Sequence, residues 1–307
     1  MLETISFAKP VISQAIEPKT NRDKDKLRDA LEKLKIQDPS LHYRIEPETG
    51  QIILEGMGEL HLEVSAERLR REYNVDIERR EQKVSYRETI TKKLENVEGE
   101  YKKQTGGSGH FARVKLTFEP NEGRGFEFVD AKKGQEMSNK DAEEVKEGIE
   151  EAMSSGLLLN YPLLDIKVTL LEGKRHEVDT KPGDFKNAAV LAFRGDGVEE
   201  KNKRVAELGV VLLEPIMQAE VTTPKESYGE ILASLTSQRG VINEVTEKDE
   251  RAYVIHAHVP LSNILGYTTT LRSLTGGKGI FNMKLSHYQK VPKDVLAEII
   301  KKEKVIA

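Results

Sequence analysis

The two ends of the chain carry the same alternation of strand and helix patterns. At the start, Leu27, Leu31 and Leu34 recur at helical spacing while charged residues fill the opposite face. This end predicts strands over 11–16, 42–46, 51–55 and 75–79 and helices over 23–35 and 58–73. The other end predicts strands over 216–222, 241–246, 253–259 and 281–285 and helices over 228–239 and 261–271. Each end therefore predicts a split β-α-β sandwich, with two helices on one face of an antiparallel sheet.

The middle segment has a different pattern and is interpreted as a third domain. It predicts strands over 114–118, 126–128 and 164–170 and helices over 141–154 and 185–193. Two polar loops that contain glycine, 104–110 and 172–183, flank these strands. We expect both loops to lie at the same pole of the middle domain.

Composition and charge restrict the possible functions. The chain has 307 residues, and 48 Lys and Arg against 52 Asp and Glu give a net charge of −4. The length indicates two or three domains, and the small net charge confines any nucleic-acid contact to local loops. The absence of cysteine excludes disulfides and thiolate metal sites and favours a reducing compartment. With no signal peptide or membrane span in the sequence, a cytoplasmic protein is expected.

The glycine-rich loop Gly106-Gly107-Ser108-Gly109 is a candidate RNA contact. It lacks the Lys-Ser/Thr pair of a phosphate-binding loop, and a strand follows it, so neither nucleotide hydrolysis nor dinucleotide binding is expected of this chain. Glycine lets backbone amides approach a phosphodiester, and the preceding Lys102 and Lys103 supply charge. The alternative interpretation is a flexible hairpin.

The second loop and three further histidines complete the candidate chemistry. Lys174, Arg175 and His176 are suited to RNA phosphate and ribose 2′-hydroxyl groups, with a solvated turn as the alternative. His256 and His258 share one face of a predicted strand, which leaves a stand-alone metal-dependent enzyme as an unfavoured hypothesis that metal analysis would test. His61 is interpreted as a packing or surface residue. We find no catalytic constellation and predict no metal site.

Several long motifs, in order along the chain, resemble the C-terminal three domains of bacterial translation elongation factor G. They are Leu54-Glu55-Gly56-Met57-Gly58-Glu59-Leu60-His61-Leu62, Tyr86-Arg87-Glu88-Thr89-Ile90, Gln104-Thr105-Gly106-Gly107, Leu213-Glu214-Pro215-Ile216-Met217 and Gly266-Tyr267-Thr268-Thr269-Thr270-Leu271-Arg272-Ser273. The resemblance implies an α+β fold, in which two ferredoxin-like sandwiches flank a middle α/β domain with a left-handed β-α-β crossover. The expected domains are residues 1–83, 84–213 and 214–292, with a helical tail over 293–307.

The resemblance also implies a role in translation. The family is a translational GTPase that moves messenger and transfer RNA through the ribosome, and the tip of its middle domain enters the decoding region. GTP and Mg²⁺ belong to a GTPase domain that, with a β-barrel domain, precedes this region in the family. This chain, a truncated piece or one part of a split factor, is therefore expected to be a monomer without cofactor or enzymatic activity of its own. Its expected partners are ribosomal RNA, the messenger–transfer RNA duplex and the GTPase domain.

This chain matches the tip residues of the family only in part. His176 matches the tip histidine of the family, and the expected RNA contacts are Gly106, Gly107, Ser108, Gly109, His110, Lys174, Arg175 and His176. Ser108 and His110 stand where the family usually has arginine and glutamine, which favours a divergent paralogue as an alternative to the housekeeping translocase. A ribosome-protection protein of the tetracycline-resistance kind, which shares this architecture, is a second alternative.

The resemblance places two further groups of residues near domain or ribosome contacts. Gly56, Met57, Gly58 and Glu59 form a strand-to-helix connection next to the GTPase domain, and Arg239 and Lys278 lie near large-subunit RNA or that domain. The alternative for the first group is a turn that needs glycine. The alternative for the second is helix termination by glycine, with a cation near the carboxyl end.

Overall fold

A computed structural model describes residues 12–46, 49–57, 59–104, 109–132 and 137–306. The chain divides into two compact units. The first unit comprises Met1–Ser85 and Pro215–His287, and the second comprises Tyr86–Glu214 and Tyr288–Ala307. Within the described ranges, no helix is long and apolar enough to span a bilayer.

The start of the chain folds as the predicted sandwich. Its elements are β1 (Ile12–Pro18), α1 (Lys24–Gln37), β2 (His42–Ile45), β3 (Ile52–Gly56), α2 (Glu59–Tyr73) and β4 (Ile77–Arg80), with a short 3-10 helix at Asn21–Asp23. The antiparallel sheet has the order β2-β3-β1-β4. Leu27, Leu31 and Leu34 of α1 are fully buried and share one core with Leu62 and Leu69 of α2. The helical stripe seen in the sequence is therefore the core-facing side of α1.

The middle segment forms a separate four-stranded sheet with helices. Its elements are β5 (Arg87–Thr89), β6 (Leu94–Lys103), β7 (His110–Pro120), β8 (Glu127–Asp130), α3 (Asn139–Ser154), β9 (Ile166–Arg175), α4 (Asp184–Arg194) and α5 (Gly197–Leu208). The sheet order is β6-β7-β9-β8, and only the β8–β9 pair is parallel. Helix α3 makes the β8-to-β9 crossover, whose left-handed sense stays a prediction. Phe118, Phe185 and Phe193 are fully buried within this core.

The end of the chain repeats the first sandwich. Its elements are β10 (Val211–Pro224), α6 (Tyr228–Ser237), β11 (Val241–Asp249), β12 (Ala252–Pro260), α7 (Leu261–Ile264), α8 (Tyr267–Thr275) and β13 (Ile280–Lys290), with a 3-10 helix at Lys225–Ser227. The order β11-β12-β10-β13 is that of the first sheet, strand for strand. The repeat and the α+β fold class predicted from the sequence are therefore confirmed.

The final helix α9 (Lys293–Ile306) belongs to the second unit. Val291, which precedes α9, and Ile299 within it are buried against Leu212. Leu212 lies in the first part of β10, which pairs with β5. The predicted C-terminal helical tail is therefore a packed element.

The helix predicted over residues 261–271 is wrong as a single element. The structure has two helices there, α7 and α8, and Gly266 between them has a φ of +73°. The apolar spacing continues through this point because Ile264 and Leu271 both reach the same core. A glycine in the left-handed region ends one helix and redirects the chain into the next.

Alanine at Gly99 tests how closely α4 packs on β6. A Cβ atom there would overlap the carbonyl oxygen of Ala188 and lie 2.6 Å from Ala192 Cβ. We expect Gly99→Ala to lower the free energy of unfolding of the second unit by about 1–3 kcal/mol, because the helix must move away. The measurement is unfolding in urea, monitored through the amide NMR signals of each unit. The control is Gly229→Ala on α6, where an added Cβ atom would lie in open space and a gain of up to about 1 kcal/mol is expected.

Candidate nucleic-acid interface

The described ends of both polar loops of the middle segment lie at one end of its sheet. Lys103 at the end of β6 pairs with His110 at the start of β7, and Ala112 pairs with Arg175 at the end of β9. The prediction that both loops lie at one pole is confirmed. Of the predicted contacts here, Gly106, Gly107 and Ser108 lie outside the described residues. We call residues 102–104, 109–111 and 174–184 the tip.

Hydrogen bonds tie the second loop to β7. The Gly109 N–H donates to Asp179 Oδ1 at 2.9 Å, and the Phe111 N–H donates to the Asp179 carbonyl at 3.0 Å. The Thr180 hydroxyl donates to the Phe111 carbonyl at 2.7 Å. Three contacts from two adjacent residues therefore hold the loop that follows β9 against the start of β7.

His176 is held within this loop. Its Nδ1 lies 3.1 Å from Asp179 Oδ2, and its backbone N–H donates to Thr180 Oγ1 at 2.7 Å. The ring meets the Phe111 ring edge to face, with 6.4 Å between centroids. The side chain stays 57% exposed. The imidazole is thus oriented by the protein and open to a ligand.

His110 is held by a different carboxylate. Its Nδ1 lies 2.8 Å from Asp184 Oδ1, and Asp184 Oδ2 accepts the Lys181 N–H at 2.9 Å. Asp184 is the first residue of α4 and only 2% exposed, so its charge lies at the positive end of the helix dipole. Sequence reasoning missed Asp184. The only local signal is an acidic residue in the first turn of a helix after Gly183.

The cations of the tip differ in their partners. Arg175 Nη1 lies 3.6 Å from Asp141 Oδ2. Lys102, Lys103 and Lys174 are exposed, and no ion pair of theirs occurs among the described residues. Three ammonium groups beside two held imidazoles form a positive end of the domain. Such a surface attracts phosphate groups.

The Gly56-to-Glu59 connection joins β3 to α2 and is built around His61. The His61 Nδ1 accepts the Met57 N–H at 3.0 Å, and its Nε2 lies 2.9 Å from Asp38 Oδ2, so this histidine ties the turn to the end of α1. A Cβ atom at Gly56 would lie 2.7 Å from Leu62 Cδ2 and 3.0 Å from His61 Nδ1, so a side chain there would require Leu62 to shift. Gly58 lies outside the described residues, and Glu59 opens α2.

This arrangement lowers the pKa of the Asp38 carboxyl. Its partial burial acts to raise its pKa, but hydrogen bonds from Ser40 and from His61 outweigh burial and hold the pKa below the ordinary value. The unfolded chain therefore binds a proton at higher pH than the folded chain does. The stabilisation by Asp38 is complete above the unfolded pKa and is lost as the pH falls through the folded pKa.

Arg239 and Lys278 contact other residues of the last sandwich. Arg239 follows α6 with a φ of +61°, and its Nη1 lies 3.4 Å from Asn263 Oδ1. Lys278 follows α8, and its Nζ lies 3.6 Å from Glu226 Oε1. Both residues lie just beyond helix carboxyl ends, where a positive charge is favourable.

The two histidines of the metal hypothesis lie on β12. His258 Nε2 is 3.3 Å from Ser286 Oγ, and its ring meets the His287 ring edge to face at 5.4 Å. Across the described ranges, no three His, Asp or Glu side chains are grouped so that they could hold a metal ion. The geometry gives the metal-dependent enzyme no support.

Three family models match the chain, and together they span most of it. The model described as Elongation Factor G, domain III, matches residues 7–81. Elongation factor G, domain IV, matches 82–199, and Elongation factor G C-terminus matches 211–299. The chain belongs to the elongation factor G family.

Individual relatives agree with this family. The chain is 46% identical over 303 residues to elongation factor G of Mycoplasma pneumoniae and 45% identical to that of Mycoplasma genitalium. Each match covers 99% of this chain and 43% of the relative. A crystal structure of a protein from Thermus thermophilus superposes with a TM-score of 0.80 at 38% identity, over 98% of this chain and 44% of that one. The chain thus spans less than half the length of each of these relatives.

Proposed function

We propose that this chain is the part of a translation elongation factor that contacts the ribosome and helps to move messenger and transfer RNA. Family membership supports the elongation-factor role. The observation that carries the finer proposal is the tip, where two carboxylates hold two imidazoles beside exposed ammonium groups. A domain that ends in a fixed, positive and hydrogen-bonding surface is suited to RNA.

The side chains of the tip differ in the RNA groups that they can bind. Lys102, Lys103 and Lys174 neutralise phosphates, which supplies affinity without sequence selection. The neutral imidazoles of His110 and His176 can also accept hydrogen bonds, which an ammonium cannot, for example from ribose 2′-hydroxyls. In this proposal the tip enters the decoding region of the small subunit beside the messenger–transfer RNA duplex.

The proposed domain division is the one expected from the sequence. Residues 1–83 and 214–292 are ferredoxin-like domains, residues 84–213 carry the tip, and residues 293–307 form the tail. The resemblance assigns GTP and Mg²⁺ to a GTPase domain that precedes this region in the family. We propose that the chain itself binds RNA without a cofactor, as a monomer, and that Gly56, Met57, Gly58, Glu59, Arg239 and Lys278 serve contacts with the GTPase domain or the ribosome.

Co-sedimentation with bacterial ribosomes over a salt series tests the proposal. With Lys102, Lys103, Lys174 and Arg175 on phosphates, the logarithm of affinity should fall against the logarithm of salt with a slope of about −2 to −4. The triple variant Lys174→Ala/Arg175→Ala/His176→Ala should lower the magnitude of the slope by about 1–2, because two cations are lost.

A matched control variant distinguishes the effect of the tip cations from that of the total charge of the chain. Lys201→Ala/Lys203→Ala removes two cations from α5 and should leave the slope unchanged within about 0.5. Ribosome binding that ignores salt, or that falls equally in the tip and α5 variants, would remove the tip from the proposed function.

A further inference from the structure

We propose that Asp179 and Asp184 are positioning residues that fix the tautomers of His176 and His110, so that both imidazoles present Nε2 to RNA as a hydrogen-bond acceptor. The proposal rests on the proposed function and assigns the tip a chemical preference. Its ligand class is the hydrogen-bond donors of RNA, the ribose 2′-hydroxyl and the exocyclic amino groups of bases.

The position of each imidazole proton follows from its partner. An ionised carboxylate only accepts hydrogen bonds, and a neutral imidazole carries a single N–H. His176 Nδ1 lies 3.1 Å from Asp179 Oδ2, and His110 Nδ1 lies 2.8 Å from Asp184 Oδ1. The hydrogen bond from His110 Nδ1 to Asp184 therefore places the proton of that ring on Nδ1, and Nε2 carries the lone pair. In His176 the Asp179 carboxylate is an ion-pair contact of Nδ1, and its negative charge favours the proton on the same nitrogen.

Each carboxylate is itself fixed by a backbone amide. The second oxygen of Asp179 accepts the Gly109 N–H at 2.9 Å, and the second oxygen of Asp184 accepts the Lys181 N–H at 2.9 Å. Neither carboxylate can rotate away without losing a main-chain bond. The two imidazoles are oriented before any ligand arrives, which lowers the entropy cost of binding.

The free nitrogen then selects a kind of ligand. The His176 side chain is 57% exposed and that of His110 is 33% exposed, so part of each side chain is accessible to a ligand. A phosphate diester has no proton to donate to Nε2, whereas a 2′-hydroxyl or an amino group has one. The ammonium groups of the tip therefore hold phosphates, and the imidazoles recognise sugars or bases.

His61 gives a reference for the opposite tautomer. Its Nδ1 accepts the Met57 N–H at 3.0 Å, and its Nε2 lies 2.9 Å from the Asp38 carboxylate. The proton of the neutral ring is therefore on Nε2. One chain thus contains both forms, and each is determined by a carboxylate and the local backbone.

Nitrogen-15 spectra of the chain labelled in histidine test the assignment directly. In the neutral rings, His110 and His176 should report a proton on Nδ1 and His61 a proton on Nε2. Loss of single signals in His110→Gln and His176→Asn assigns the resonances. A proton on Nε2 of His110 or His176 would overturn the positioning claim.

Asp179→Asn separates tautomer control from loop support. The asparagine carbonyl can still accept the Gly109 N–H, but its amide donates to the ring, so the His176 proton should move to Nε2. His61 should not change, and the thermal midpoint should confirm folding. Ribosome affinity at low salt should fall about three- to tenfold, as expected for one lost hydrogen bond. The control is Asp130→Asn. The native Asp130 carboxylate contacts Lys132, so this change should alter neither the His176 tautomer nor the ribosome affinity.

The tautomer of His176 and the ribosome affinity test different parts of the proposal. A His176 proton that stays on Nδ1 in Asp179→Asn overturns the positioning role, and full ribosome affinity with the switched tautomer overturns the acceptor role toward RNA. If the unaltered chain shows no salt-sensitive binding to ribosomes, the proposed function is overturned, whatever the tautomers are.

Discussion

Replacing Glu88 by alanine is expected to lower the free energy of unfolding of the second unit by at least about 3 kcal/mol. The Glu88 side chain is fully buried. Its two oxygens accept the backbone N–H groups of Leu157, Leu158, Leu159 and Tyr161 at 2.6 to 3.1 Å. One carboxylate thus closes the turn after α3, and its removal leaves four amides without their acceptor.

The measurement is urea unfolding followed by amide signals of β7 and α4, which report the second unit alone. Glu88→Gln should have a smaller effect than Glu88→Ala, because the amide oxygen still accepts while its NH₂ group faces N–H donors. The matched control is Glu98→Ala on β6, an exposed glutamate 3.8 Å from Lys115, with an expected change below about 0.5 kcal/mol. A loss under about 1 kcal/mol for Glu88→Ala would show that water or a rearranged backbone satisfies these amides.

Apart from the break at Gly266, the sequence predicts the two sandwiches well, because their helices bury apolar stripes. It does not predict β6 or α5. In β6, Asn96 has a φ of +54° and interrupts the strand register between Leu94 and Val97, which breaks the alternation that marks a strand. Helix α5 has only one fully buried side chain, Leu208, so a helical stripe is almost lacking.

The tip could be predicted only in part. Strand ends and the family resemblance identify its two loops and His176, since both signals are local in sequence. The Asp184 carboxylate cannot be found in this way, because it reaches His110 from a helix 74 positions further along the chain. The resemblance indicates residues of the proposed site, and the tertiary structure shows the carboxylates that lie next to two of them.

Replacing Lys174, Arg175 and His176 together by alanine is expected to slow translocation by about ten- to a hundredfold in a chimera that joins the preceding part of Mycoplasma pneumoniae elongation factor G to this chain. The variant removes two cations and one imidazole, and each such contact contributes about 0.5–1.5 kcal/mol when it forms in the transition state. The measurement is the single-turnover rate of messenger RNA movement, from a fluorophore on the message. GTP hydrolysis, which the resemblance assigns to the preceding domains, should change less than about twofold.

The ratio of these two rates makes the experiment specific. An unfolded second unit or a chimera that fails to bind ribosomes would lower both rates, whereas loss of the tip contacts should lower only movement. Lys201→Ala/Lys203→Ala on α5 should leave both rates as they are, because this pair lies outside the tip. Equal translocation by the tip variant and the unaltered chimera would mean that these three side chains do not stabilise the transition state of movement, and the role proposed for the tip would then be wrong.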